Sequence, residues 1–177
     1  MNMNKLLSLF LRGQHTNNTT SERIRVGRTL EGTVFELTFV VLLIIVWALL
    51  IYFLRQTPDI VPTHFGPSGE ADAHGSKYII LVICIIMSLI GVGLMIGAYH
   101  PQKGTSLKIE TPRQVLLVTR MLRLLGLMSP ILSFAIGWTS LASVRHGGPN
   151  VMPILIVVGI MVAISLIFPF LILRSKS

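Results

Sequence analysis

Two histidines and three carboxylates fall between Asp59 and His74, and a third histidine, His146, stands in a later turn. Imidazole and carboxylate together suit Zn²⁺ or a similar cation, which makes His64, Asp72 and His74 the metal-ligand candidates, with Asp59, Glu70 and His146 near them. Their spacing matches no metal motif, and histidine in turns often hydrogen-bonds backbone instead. The competing reading has His64 and Asp72 satisfying their own loop while Lys77 anchors the following helix, and the expectation is no metal and no cofactor. Catalysis needs a nucleophile or an acid–base pair in a protected site. The four long apolar stretches carry hydroxyls such as Ser88, Ser129, Ser133 and Thr139, but no Asp, Glu, Lys or His. A charge-coupled carrier normally holds an ionisable group at mid-membrane. Neither catalysis nor proton-coupled transport is expected.

The elements around these residues are long and greasy. The chain has 177 residues, 52% hydrophobic and 12% charged, with a mean hydropathy of +0.74. A soluble domain carries about twice that share of charge. Leu37–Leu54, Tyr78–Tyr99, Leu124–Val144 and Val151–Leu173 contain no Asp, Glu, Lys or Arg. Each is about long enough to cross a hydrocarbon core of roughly 30 Å at 1.5 Å per residue. The predicted fold is an all-α, four-helix transmembrane bundle with a structured extracytoplasmic loop between the first two helices. It divides into a cytoplasmic arm over 1–32, helices one and two over 33–98 with a loop at 55–77, a cytoplasmic loop over 99–115, and helices three and four with a tail over 116–177. Residues 1–12 read as a short interfacial segment bounded by Lys5 and Arg12, because the apolar core is too short for a signal peptide. The lone Cys84 lies inside an apolar run and offers neither a disulfide nor a thiolate metal site.

Charge sets the expected orientation. Lys5, Arg12, Arg23, Arg25, Arg28, Lys103, Lys108, Arg113, Arg174 and Lys176 make ten cations on one side, against Arg55, Lys77 and Arg145 on the other. The positive-inside rule then puts both termini in the cytoplasm and the loop at 55–77 outside. Between spans these cations face lipid headgroups, so the net charge of +8 does not imply nucleic acid.

Thr111-Pro112-Arg113-Gln114 reads as a capping box that opens the third helix. Its first turns are longer than a bilayer needs, so Arg120 and Arg123 sit in the interface near Glu36, which predicts a Glu36–Arg120 or Glu36–Arg123 ion pair or three separate contacts to headgroups. Helices in lipid associate through small residues. Gly93 and Gly97 form a GxxxG on helix two, and Ser129, Ser133 and Gly137 recur every four residues on helix three, so these faces are expected to meet. The short turn at 145–150 makes helices three and four antiparallel neighbours.

The loop at 55–77 carries the one signature. Pro58, Pro62 and Pro67 are expected to keep it free of regular structure, Gly66, Gly69 and Gly75 permit tight turns, and Ile60, Val61 and Phe65 are expected to dip into the interface. Pro58, Pro62, His64, Phe65, Gly69, Asp72, Gly75, Ser76 and Lys77, lying between two hydrophobic helices, resemble a bacterial family of unknown function. That family is the domain found at the N-terminus of membrane proteins like the sporulation-delaying toxin immunity protein. The resemblance covers about residues 38–90. It departs at His74, where the family often has an aromatic residue, and those immunity proteins continue for more helices than the two that follow here. It implies a membrane domain of the bacterial cytoplasmic membrane. Three functional readings follow: an envelope-sensing or toxin-immunity-like protein whose outer loop meets an extracytoplasmic peptide or toxin, a structural or accessory subunit of a larger membrane complex or homo-oligomer, and a passive pathway formed by oligomers.

Overall fold

A computed structural model describes residues 27–66, 68–101, 109, 111–146 and 150–175. The expected interfacial segment at 1–12, the basic arm through Arg25, Lys103, Lys108 and Lys176 lie outside the described residues, as do the side chains of Arg145 and His146. The elements are α1 (Leu30–Gln56), β1 (Ile60–Phe65), β2 (Ala71–Ser76), α2 (Lys77–Gly97), α3 (Pro112–His146) and α4 (Met152–Arg174). All four helices are long and apolar enough to cross a membrane, which makes this a multi-pass membrane protein.

Local chemistry starts each helix where the chain changes character. Thr29 caps α1 by accepting from the Gly32 amide at 3.0 Å, and Ser76 caps α2 by accepting from Tyr78 at 3.4 Å. The capping box at α3 forms in both directions: the Gln114 amide donates to Thr111 Oγ1 at 3.3 Å, and the Thr111 amide donates to Gln114 Oε1 at 3.1 Å. At α4, Pro153 occupies the first turn, where its missing N–H has no helical partner to lose.

The helices do not close a symmetric four-membered bundle. Among the described residues α3 is a central post that touches α1, α2 and α4, while α4 touches α3 alone and α1 meets α2 only lightly. Half of the apolar window of α3 is buried, against 6% of that of α4. This arrangement follows from where the polar atoms are. Lipid offers no hydrogen bonds, so a hydroxyl or amide on a spanning helix must reach another helix or its own backbone. α3 carries most of these groups, and its neighbours satisfy several of them, although the buried Ser133 hydroxyl has no partner among the described residues. Ser129 donates to the Met87 carbonyl of α2, Thr119 to Ala98 at 3.4 Å, Gln114 to Ile172 of α4 at 3.1 Å and Thr139 to Asn150 at 3.0 Å. The last two, at opposite ends, show α3 and α4 running antiparallel as expected. α1 and α2 add their own bridge, from Trp47 Nε1 to Ser88 Oγ at 3.1 Å.

Helices α2 and α3 do meet, but on different residues from those expected. A Cβ added to Gly93 would touch nothing, and one on Gly97 would only graze Leu122. The contact runs two residues out of phase with that motif, through Gly91 and Met95 against Gly126 and Ser129. On α3, Ser129, Ser133 and Gly137 do form one interior face: Cys84 donates to the Ser133 carbonyl at 3.5 Å, and Gly137 makes room for Leu50 of α1. Each successive residue of a helix is rotated by about 100°, so glycines four apart share a face but meet the partner only if the helix is rotated that way.

Candidate functional site

The segment between α1 and α2 folds as an antiparallel hairpin, which corrects the expectation of an irregular loop. Proline is tolerated at strand edges, and a two-stranded sheet consists of edges only. Pro62 accordingly sits within β1, opposite His74, and Pro58 precedes the strand. The ladder pairs Ile60 with Ser76 and Val61 with Gly75, then shifts register around Thr63 before Phe65 meets Ala71. Lys77 N continues it by donating to the Asp59 carbonyl at 2.9 Å. Gly69, with φ of 85°, turns the tip, and Gly66 N closes it onto the Glu70 carbonyl at 2.9 Å.

One strand holds and the other is presented. Val61 is fully buried and joins Val46, Leu50, Ile80, Cys84 and Leu141 in a single apolar cluster, so β1 plugs the end of the bundle among α1, α2 and α3. Val61 therefore dips into protein and not into a lipid interface, whereas Ile60 is exposed. Lys77 acts as a latch. Its ammonium, largely covered, donates to the Thr57 carbonyl at 2.9 Å and pairs with Asp59 at 3.0 Å. β2 exposes Asp72, Ala73 and His74 in succession.

His64 and Asp72 meet across the strands, Nδ1 to Oδ1 at 2.6 Å. Both are more than half exposed, so this pair adds at most about 1 kcal/mol. Its effect is to orient the imidazole, leaving Nε2 outward. His74 does not complete a metal site with them: among the described residues no three His, Cys, Asp or Glu side chains gather.

At the opposite end of the helices a charged cluster forms, with partners that sequence reasoning missed. Arg120 pairs with Glu31, donating from Nε at 2.8 Å and from Nη2 at 3.0 Å. Glu36 accepts from the Tyr99 hydroxyl and lies 3.9 Å from Arg28. The expected pairing of Glu36 with Arg120 or Arg123 is thus replaced, because the first turn of α1, not its second, is level with Arg120. Desolvation, then the Glu36 carboxylate, push the Tyr99 phenol above its ordinary pKa. Arg123 is 2% exposed, its guanidinium lies 5.8 Å from the Tyr99 ring centre, and its Nη2 has no hydrogen-bond partner among the described residues. A double-mutant cycle on Glu31→Gln and Arg120→Gln should give a coupling of about 1 kcal/mol in detergent melting, for a forked but half-exposed pair. The corresponding Glu36 and Arg120 cycle should give none.

Comparison with known families places one match on this chain: a domain of unknown function, DUF1648, over residues 41–88. The match takes in most of α1, the whole hairpin and the first half of α2. No curated protein and no solved structure matches the chain significantly.

Proposed function

We propose that the hairpin is the working surface of a non-enzymatic protein of the bacterial cytoplasmic membrane, one that senses or neutralises an extracytoplasmic peptide or toxin. The observation that carries this reading is the asymmetry of the hairpin. β1 is anchored by Val61 and Lys77, while β2 offers an exposed strand with Asp72 and His74 on it. An extended peptide adds to such an edge through main-chain hydrogen bonds, with side chains supplying selectivity. A pre-formed edge avoids the ordering cost that a loose loop would incur on binding. The distribution of Lys and Arg supports the placement, with both termini in the cytoplasm and the hairpin outside. The resemblance to the N-terminal domain of toxin immunity proteins supports the class of ligand.

The test is protection. A strain lacking the gene is challenged with secreted bacterial peptide toxins, with and without the protein expressed. A photo-reactive residue at position 74 should cross-link the protective ligand in intact cells. Protection that survives replacement of the hairpin 59–76 by an unrelated hairpin would remove the reading.

A second reading is that the protein is an accessory subunit of a membrane complex. Among the described residues α4 rests on α3 alone, and it exposes Ile156, Ile160, Leu166, Ile167 and Phe170. Stoichiometric co-purification of a second membrane protein, lost on placing bulky residues along that face, would favour it.

A further inference from the structure

The ends of α3 and α4 away from the hairpin enclose a groove of about 390 Å³ lined by Arg113, Leu117, Leu171, Arg174 and Ser175. None of the five is acidic. Two guanidiniums from adjacent helices face one space, with two leucines beside them leading towards the apolar part of the helices. Arg113 is the second residue of α3, at the positive end of that helix's dipole.

The end of α4 would ordinarily offset this with its unpaired carbonyls. Here the Ile172 carbonyl accepts from Ser175 Oγ at 2.8 Å and from Gln114 Nε2 at 3.1 Å, as well as from the Ser175 amide at 3.3 Å. Gln114 is completely buried, and it ties the two helices together beneath the groove. The Ile172 carbonyl is thus satisfied from within, and the side chains that line the groove carry two cations and no anion.

We infer that this groove is a binding site for the phosphate of an anionic glycerophospholipid, held between Arg113 and Arg174 with its acyl chains running down past Leu117 and Leu171. Guanidinium recognises phosphate through paired N–H donors. Basic pockets between transmembrane helices at the headgroup level take anionic lipids. The volume falls in the range of small-molecule sites. Position selects a lipid over a soluble phosphate: the leucines continue the groove into the membrane-facing part of the helices, where a free ion gains nothing. The site does not depend on what the hairpin recognises.

The test uses the full chain purified in neutral detergent. Its melting temperature is followed while phosphatidylglycerol, phosphatidylcholine or inorganic phosphate is titrated. Phosphatidylglycerol should raise it in a saturable way, with phosphatidylcholine and phosphate giving no comparable rise. Arg113→Gln with Arg174→Gln should weaken the apparent affinity at least tenfold, whereas Arg55→Gln, at the other end of the helices, should leave it unchanged. Equal response to either lipid, an unaltered affinity in the double variant, or the same saturation by phosphate alone would each overturn the site. Native mass spectrometry of the unmodified protein covers the case in which the double variant does not fold. It should retain one phosphatidylglycerol in preference to phosphatidylcholine, and retention without preference counts against the proposal.

Discussion

Gly91→Leu should lower the stability of the detergent-solubilised protein by about 3 kcal/mol, the upper end of what overpacking a core usually does, while Gly93→Leu should change it by no more than about 0.5 kcal/mol. The two glycines stand two residues apart on α2 but face different surroundings. A Cβ on Gly91 would lie 2.9 Å from Phe39 Cε2 and 3.0 Å from Ser129 Cβ. Phe39 is buried, and Ser129 is pinned by its bond to the Met87 carbonyl, so neither can retreat without moving a helix. Three helices meet at that point. At Gly93 an added side chain projects into open space. Thermal melts of both variants in the same detergent settle the matter. Comparable losses would mean that the GxxxG motif is the packing seam and that α2 is rotated relative to the structure described.

Lys77→Met should loosen the hairpin without melting the helices. The substitution keeps the aliphatic stem but removes the ammonium, leaving the Thr57 carbonyl without that donor and the exposed Asp59 without its ion pair. A hydrogen bond from a charged donor is worth about 1.5–3 kcal/mol. The opening of residues 60–76 should become easier by that amount, and at about 1.4 kcal/mol per decade their amides should exchange roughly ten- to a hundredfold faster. Hydrogen–deuterium exchange by mass spectrometry reads this directly. Exchange in α3 should stay as it was, because Val61, Ile80 and Leu141 still pack. Under the proposed function the same variant should also protect poorly, since a mobile edge loses the advantage of being pre-formed. Unchanged exchange in the hairpin would show that Val61 alone holds β1.

The charged cluster and the lipid groove share one physical theme. The cluster lies level with the first turns of α1 and the groove lies where α3 runs beyond them, so that Arg113, Arg120 and Arg123 occupy successive levels along one helix. Arg120 finds a carboxylate, Arg123 finds an aromatic ring, and Arg113 faces the groove. A long basic side chain near a membrane surface can take any of these partners, and which one it takes depends on the neighbour at its level.

Length and hydropathy by themselves determined the number of spanning helices, because a run of apolar residues sums locally and needs no partner to be recognised. The same holds for the capping box at Thr111 and Gln114, whose bonds close within four residues, and for α3 and α4 as neighbours, which a short connection enforces. Tertiary structure decided the rest. It rotated α2 so that Gly91 and not Gly93 faces α3, made α3 the central post, and placed Glu31 rather than Glu36 beside Arg120. It also turned a proline-rich segment into a hairpin, because Val61 gained a buried seat among three helices that no reading along the chain could bring together. Periodicity says that a helix has faces, but the rotation and height of its neighbours decide what each face meets.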